Sequence, residues 1–102
     1  MAKKKKPNLN SMLDLQGHVA VVTGGSGFLC SAMAKSLAQQ GAKVAVLARH
    51  AETLEKVVDD IKAQGGEAIA VVCDVLSADS CSAAEKEVAK KLGATTILVN
   101  GA

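Results

Sequence analysis

The four residues Gly24-Gly25-Ser26-Gly27 carry the clearest chemical signal in the chain. The apolar run His18-Val19-Ala20-Val21-Val22-Thr23 precedes them, and a helical pattern begins at Phe28. Glycines let a backbone turn tightly and approach a charged ligand with no Cβ in the way. A helix that starts just after such a turn offers free N–H groups and the positive end of its dipole. Strand, glycine turn and helix start together make a cradle for the pyrophosphate of a dinucleotide. Read as G-x-G-x-x-G, residues 25–30 match at Gly25 and Gly27 and put Cys30 third. That third position needs a small residue for helix–strand packing, which Cys satisfies. Phe28 and Leu29 supply the first N–H groups of the helix. The alternative is a simple turn in an α/β domain that binds nothing.

A second candidate lies at the end of the next apolar run, at Ala48-Arg49-His50. NAD sites place an Asp or Glu there, roughly 20 residues past the glycines, to accept from the ribose 2′-OH. No carboxylate appears here until Glu52. The planar fork of Arg49 suits a 2′-phosphate. This favours NADP(H) and leaves NAD(H) open, the alternative being an exposed arginine flanking a helix.

Other reactive types are sparse. Cys30, Cys73 and Cys81 are odd in number and lack C-x-x-C spacing, which suits reduced thiols in a cytoplasmic protein. His18 and His50 have no ligand-like spacing to each other or to the cysteines, so no metal site is expected. Cys30 stands near the start of the predicted helix, where packing is its expected role. There is no tyrosine; Ser26 belongs to the turn, and Ser77, Ser80 and Ser82 open a later helix. No residue of the chain is assigned a catalytic role.

Regular elements must hold these residues. After the turn, Leu29, Met33 and Leu37, with Ala34 and Ala38, predict one face of a helix over 28–40, closed by Gly41 as a left-handed cap. Lys43 to Ala48 predicts a second strand. Leu54, Val57, Val58 and Ile61 follow the i, i+3, i+4, i+7 rule, and Gly65-Gly66 stop that helix. Glu67 to Cys73 predicts a third strand. Cys81, Ala84, Val88 and Leu92 predict a third helix, with Ser77 or Asp79 as cap and Gly93 as stop. Thr95 to Val99 predicts a fourth strand. Strands that are apolar throughout are buried on both faces, so the order βαβαβαβ implies a parallel sheet covered by helices. The expected fold is a partial Rossmann-type, doubly wound, three-layer α/β domain with strand order 3-2-1-4. A ligand is expected at the switch point beyond the carboxyl ends of the first and fourth strands. The fourth strand would be an apolar edge of the kind native proteins usually cover, which suggests a truncated sequence or an edge paired with another chain.

Composition agrees. The 102 residues suit one domain; 49% are apolar but only 1% aromatic, so Val, Ile, Leu, Ala and Met must build the core. The net charge of +2 comes from Lys3 to Lys6. That run and Pro7-Asn8 read as a solvated tail over 1–16, ahead of a nucleotide-binding domain over 17–102. An arm attracted to polyanions is the alternative for the tail. The body lacks the basic face of a nucleic-acid binder. No secretory segment follows the lysines, and no apolar run approaches the roughly 18 residues of a membrane span.

Residues Thr23 to Cys30, continued as SAMAKSLAQQGAKVAVLAR, resemble the opening of the short-chain dehydrogenase/reductases, whose pattern is T-G-x-x-x-G-x-G, a helix, G-A-x-V and a strand. The resemblance runs from about Gly17 to Ala102. Cys73-Asp74-Val75 is similar to the family's D-V, and Leu98-Val99-Asn100-Gly101-Ala102 to the start of its N-N-A-G stretch. In that register the second and third glycines fall on Phe28 and Cys30, and Gly101 replaces the second Asn. The combination G-G-S-G-F-L-C with N-G-A is similar to a subgroup of the D-mannonate/fructuronate oxidoreductase kind. The resemblance implies that Asp74 accepts from the adenine amino group, that the Val75 backbone lies beside the ring, and that Asn100 sits beside the cofactor ribose. The alternatives are a turn-starting Asp74 and a loop-stabilising Asn100. It implies a full-length homo-oligomeric oxidoreductase moving hydride between a nicotinamide dinucleotide and a small carbonyl or alcohol substrate. The family's Ser and Tyr-x-x-x-Lys would lie beyond Ala102, leaving this chain inactive alone. A nucleotide-binding module without chemistry is the competing reading.

Overall fold

The computed structural model describes residues 15–24 and 27–101. Most of the expected basic tail therefore lies outside the described residues, as do Gly25 and Ser26 of the glycine turn. The described chain enters at Leu15, whose N–H donates to the Gln40 carbonyl at 2.7 Å and whose side chain packs on the core.

Seven elements follow in strict alternation. They are β1 (Val19–Thr23), α1 (Phe28–Gln39), β2 (Lys43–Ala48), α2 (Ala51–Ala63), β3 (Glu67–Val72), α3 (Ala78–Lys91) and β4 (Ile97–Asn100). The strands form one sheet in the order β3-β2-β1-β4, every pair parallel. This is the 3-2-1-4 arrangement expected from the sequence.

Each strand alternates its side chains between two cores. Ala20 and Val22 of β1 and Val44 and Val46 of β2 point toward α1 and α2, meeting Ala34, Leu54, Val57, Val58 and Ile61. Val19, Val21, Ala45 and Leu47 point the other way, toward Ala84, Val88 and Leu92 at α3. Both faces are covered, which is why β1 is apolar and buried from end to end. All four expected positions of α2 are buried; each such side chain contributes about 1.5–3 kcal/mol.

Several boundaries and faces differ from the sequence reading. On α1 only Ala34 is fully buried, while Leu29 is 68% exposed and Met33 is also exposed. Leu29 lies in the first turn, beyond the strand ends, and Met33 overhangs a cleft beside Val99 of β4. On α3, Cys81 is exposed, whereas Ala84 and Val88 are buried. Strand β4 begins at Ile97, two residues later than expected. The Thr96 hydroxyl accepts from the Val19 N–H at 3.1 Å and lies 2.9 Å from His18 Nδ1, so this threonine closes the end of the ladder. Strand β3 ends at Val72, although the Cys73 N–H still donates to the Ala48 carbonyl at 2.9 Å. Of the two cap candidates, Ser77 caps α3, accepting from the Ser80 N–H at 3.2 Å. Gly41 closes α1 at φ +103°, the left-handed conformation expected of it.

Candidate functional site

Register places the candidate residues along one edge of the sheet. Thr23, the last residue of β1, pairs with Leu47 on one side and Asn100 on the other. Ala48 pairs with Val72. Gly24, Arg49, Asp74 and Asn100 therefore emerge side by side from the carboxyl ends of the four strands. Neighbouring strands are about 4.8 Å apart, so the Gly24 turn and the Asp74 loop are separated by roughly 10 Å, an adenosine-sized span.

The turn after β1 is built as its sequence demands. Gly24 sits at φ +68°, a conformation costly for any residue with a side chain. The Gly27 N–H donates to the Gly24 carbonyl at 3.0 Å. Gly27 itself is the N-cap of α1 at φ −72° and ψ 157°, a conformation any residue adopts. Phe28 and Leu29 occupy the first helical turn, where N–H groups have no intrahelical acceptor. The Phe28 side chain is 91% exposed.

Asn100 is tied to β1 through Thr23. The Thr23 hydroxyl is 3.0 Å from Asn100 Oδ1 and 3.3 Å from the Val99 carbonyl, and donates to this pair of acceptors. The Gly101 N–H is shared between Thr23 Oγ1, at 3.1 Å, and the Thr23 carbonyl, at 3.3 Å. A Cβ at Gly101 would collide with Cys30 Sγ, so the loop after β4 passes directly over the start of α1.

The loop after β3 is equally well fixed. Asp74 Oδ1 accepts from the Leu76 N–H at 3.0 Å, and the Asp74 carbonyl accepts from the Ser77 N–H at 2.9 Å. The Asp74 N–H donates to Ser80 Oγ at 2.9 Å. Asp74 thus starts a turn, and Val75 is exposed beside it. Arg49 is exposed at the end of β2. Thr23 and Ser80 organise this edge, yet neither was among the expected site residues. The Thr before the first glycine was the one available signal for Thr23; Ser80 gave none, because its partner is set by the loop.

The cleft between α3 and the sheet, about 570 Å³, lies beside this edge and is lined by Val21, Leu47, Cys73, Val75, Cys81 and Leu98 among others. The Cys81 thiol is raised above its ordinary pKa by loss of water around it, then by the Cys73 thiol and the charge of Asp74. Among the described residues no three His, Cys, Asp or Glu side chains come together as a metal site, and no helix is long and apolar enough to cross a membrane.

The edge fits a dinucleotide: a left-handed glycine directly after β1, a helix start with free N–H groups, a cation just past β2 and polar loops after β3 and β4. Comparison with known proteins agrees. Residues 18–102 match the family model for short chain dehydrogenases. An uncharacterized oxidoreductase of Bacillus subtilis, UxuB, is 51% identical over 89 residues, which span 87% of this chain and 32% of that protein. Among solved structures, a Haemophilus influenzae protein provisionally assigned as a D-mannonate oxidoreductase, with bound NAD, superimposes with a TM-score of 0.87 at 33% identity. The match covers 93% of this chain and 34% of that one. A metagenomic short-chain oxidoreductase in complex with NADP gives a TM-score of 0.79 at 39% identity, over 83% of this chain and 38% of that one. The chain spans about a third of the length of the relatives it matches. The family match covers the whole βαβαβαβ unit, and the chain belongs to the short-chain dehydrogenase/reductase family.

Proposed function

We propose that this chain is the dinucleotide-binding part of an NAD(P)-dependent oxidoreductase acting on a carbonyl or alcohol group. The observation that carries the reading is the alignment of Gly24, Arg49, Asp74 and Asn100 along one sheet edge. In it, Gly24 to Leu29 hold the pyrophosphate, Asp74 and Val75 the adenine, and Asn100 the ribose. The Thr23 hydroxyl orients the Asn100 carboxamide. The bound nicotinamide would supply two-electron redox chemistry. The likeness to the protein provisionally assigned as a D-mannonate oxidoreductase favours a sugar acid as the substrate class of the whole protein. A cytoplasmic homo-oligomer is part of the same proposal.

Arg49 supports a preference for NADP(H), because β2 ends on a cation with no carboxylate before Glu52. Calorimetric titration with NADPH and NADH tests this. Arg49→Ala is expected to weaken NADPH at least about tenfold more than NADH, about 1.4 kcal/mol of discrimination. Equal losses would remove the NADP(H) preference, and no saturable binding of either cofactor would overturn the site.

A further inference from the structure

Two thiols meet where β3 hands over to α3. Cys73 follows β3 and is only 2% exposed, while Cys81 lies exposed in the first turn of α3. Their sulfurs are 4.0 Å apart. The Cys81 thiol faces the carbonyl oxygens of Asp74 and Val75 at 3.8 and 3.7 Å. The loop between the two cysteines is braced by the Leu76–Asp74, Ser77–Asp74 and Ser80–Ser77 hydrogen bonds and by the Asp74 N–H to Ser80. The bracing holds the loop between them, and the two sulfurs at 4.0 Å must close to about 2.05 Å for a bond to form. Both cysteines line the cleft of about 570 Å³, which gives a small molecule access to them. No third metal-ligating side chain joins them among the described residues, so covalent pairing suits the site better than a metal.

We propose that Cys73 and Cys81 form a reversible dithiol/disulfide pair that ties the end of β3 to the first turn of α3. The oxidant is a low-molecular-weight disulfide of the glutathione class. The exposed Cys81 loses its proton, and its thiolate attacks one sulfur of that disulfide. The S–S bond breaks, one small thiolate leaves, and Cys81 is held as a mixed disulfide. Cys73 then loses its proton and attacks Cys81 Sγ, expelling the second small thiolate. Two protein thiols give up two electrons and two protons, and one small disulfide becomes two small thiols. On reduction a small thiolate attacks the exposed Cys81 Sγ and Cys73 leaves as its thiolate; a second small thiolate then attacks the small-molecule sulfur of the mixed disulfide and frees Cys81. Cys30 lies apart from this pair, against Gly101, and takes no part.

The test equilibrates the full chain in a series of reduced-to-oxidised glutathione ratios, quenches it with an alkylating reagent, and maps the peptides by mass spectrometry. The expected result is a peptide linked between residues 73 and 81, appearing and disappearing with the ratio, while Cys30 stays alkylated. Cys81→Ser, on the exposed side, is expected to keep its circular dichroism and to leave Cys73 alkylated at every ratio. A stable glutathione adduct on Cys81, linkage through Cys30, dimers linked between chains, or two alkylated thiols at the most oxidising ratio would each overturn the proposal.

Discussion

A methyl group added at position 101 would run into Cys30 Sγ and come within 3.1 Å of the Thr23 carbonyl. These are two of the three positions where this chain leaves the family pattern, Phe28 being the other, with Cys for a glycine at 30 and Gly for an Asn at 101. The contact shows them to be one exchange of bulk between the start of α1 and the loop after β4. Gly101→Ala is expected to cost about 1–3 kcal/mol by urea unfolding, as overpacking does. Combined with Cys30→Ala, which removes the colliding sulfur, the cost should fall below the sum of the two single changes. Strict additivity would mean that the two side chains do not share the space. Each departure was visible in the sequence. Their connection was not, because it depends on β1 and β4 pairing. The same holds for the Thr23–Asn100 hydrogen bond and for the two thiols at 73 and 81.

Between elements, the polar link with a clear pH signature joins α1 to α2. Lys35 Nζ lies 3.0 Å from Asp60 Oδ2, with Lys56 Nζ at 3.8 Å. The hydrogen bond from Lys35 holds the Asp60 carboxyl below its usual value of 3.8, against a smaller opposing effect of burial. The folded-state value is the lower one, so the contribution is complete above the unfolded value and is lost as pH falls through the folded one. Both side chains are about a third exposed, and water screens the pair. Asp60→Asn is therefore expected to flatten the acid limb. Between about pH 5 and about pH 2 the melting temperature of the unsubstituted protein should fall more steeply than that of the variant. Parallel curves would assign the acid sensitivity elsewhere. The elements themselves were legible wherever one face meets a complete layer. Helix α2 lies wholly against the sheet, and its period named every buried residue. Helix α1 buries only Ala34 fully; its period also included Leu29, exposed in the first turn, and Met33, which lines a cleft beside Val99 of β4.

At the scale of the molecule, the sheet is covered in its middle and carries an exposed apolar side chain at its β4 edge. Strands β1 and β2 are covered on both faces, but Leu98 of β4 is 66% exposed and lines the cleft under α3. An apolar edge of this kind promotes association. Leu98→Lys should lower the sedimentation coefficient of the chain at high protein concentration toward that of a monomer; an unchanged profile would locate the contact on another surface. The strand order was legible because right-handed crossovers and two-sided burial admit few alternatives. The position of the site followed from it, since parallel strands of similar length end together. The details of each loop did not follow, because turns such as Asp74–Ser77 are set by side-chain acceptors that carry no periodic signal.

The exposed ring of Phe28 has an optical consequence. It is the sole aromatic side chain of a protein without tryptophan or tyrosine, so the polypeptide is almost dark in the near ultraviolet. Absorbance and emission from an added nicotinamide or adenine would be read without background from the protein. A single indole introduced by Phe28→Trp would stand at the head of α1, facing solvent beside Gly24, as one fluorophore at the place where binding is to be watched.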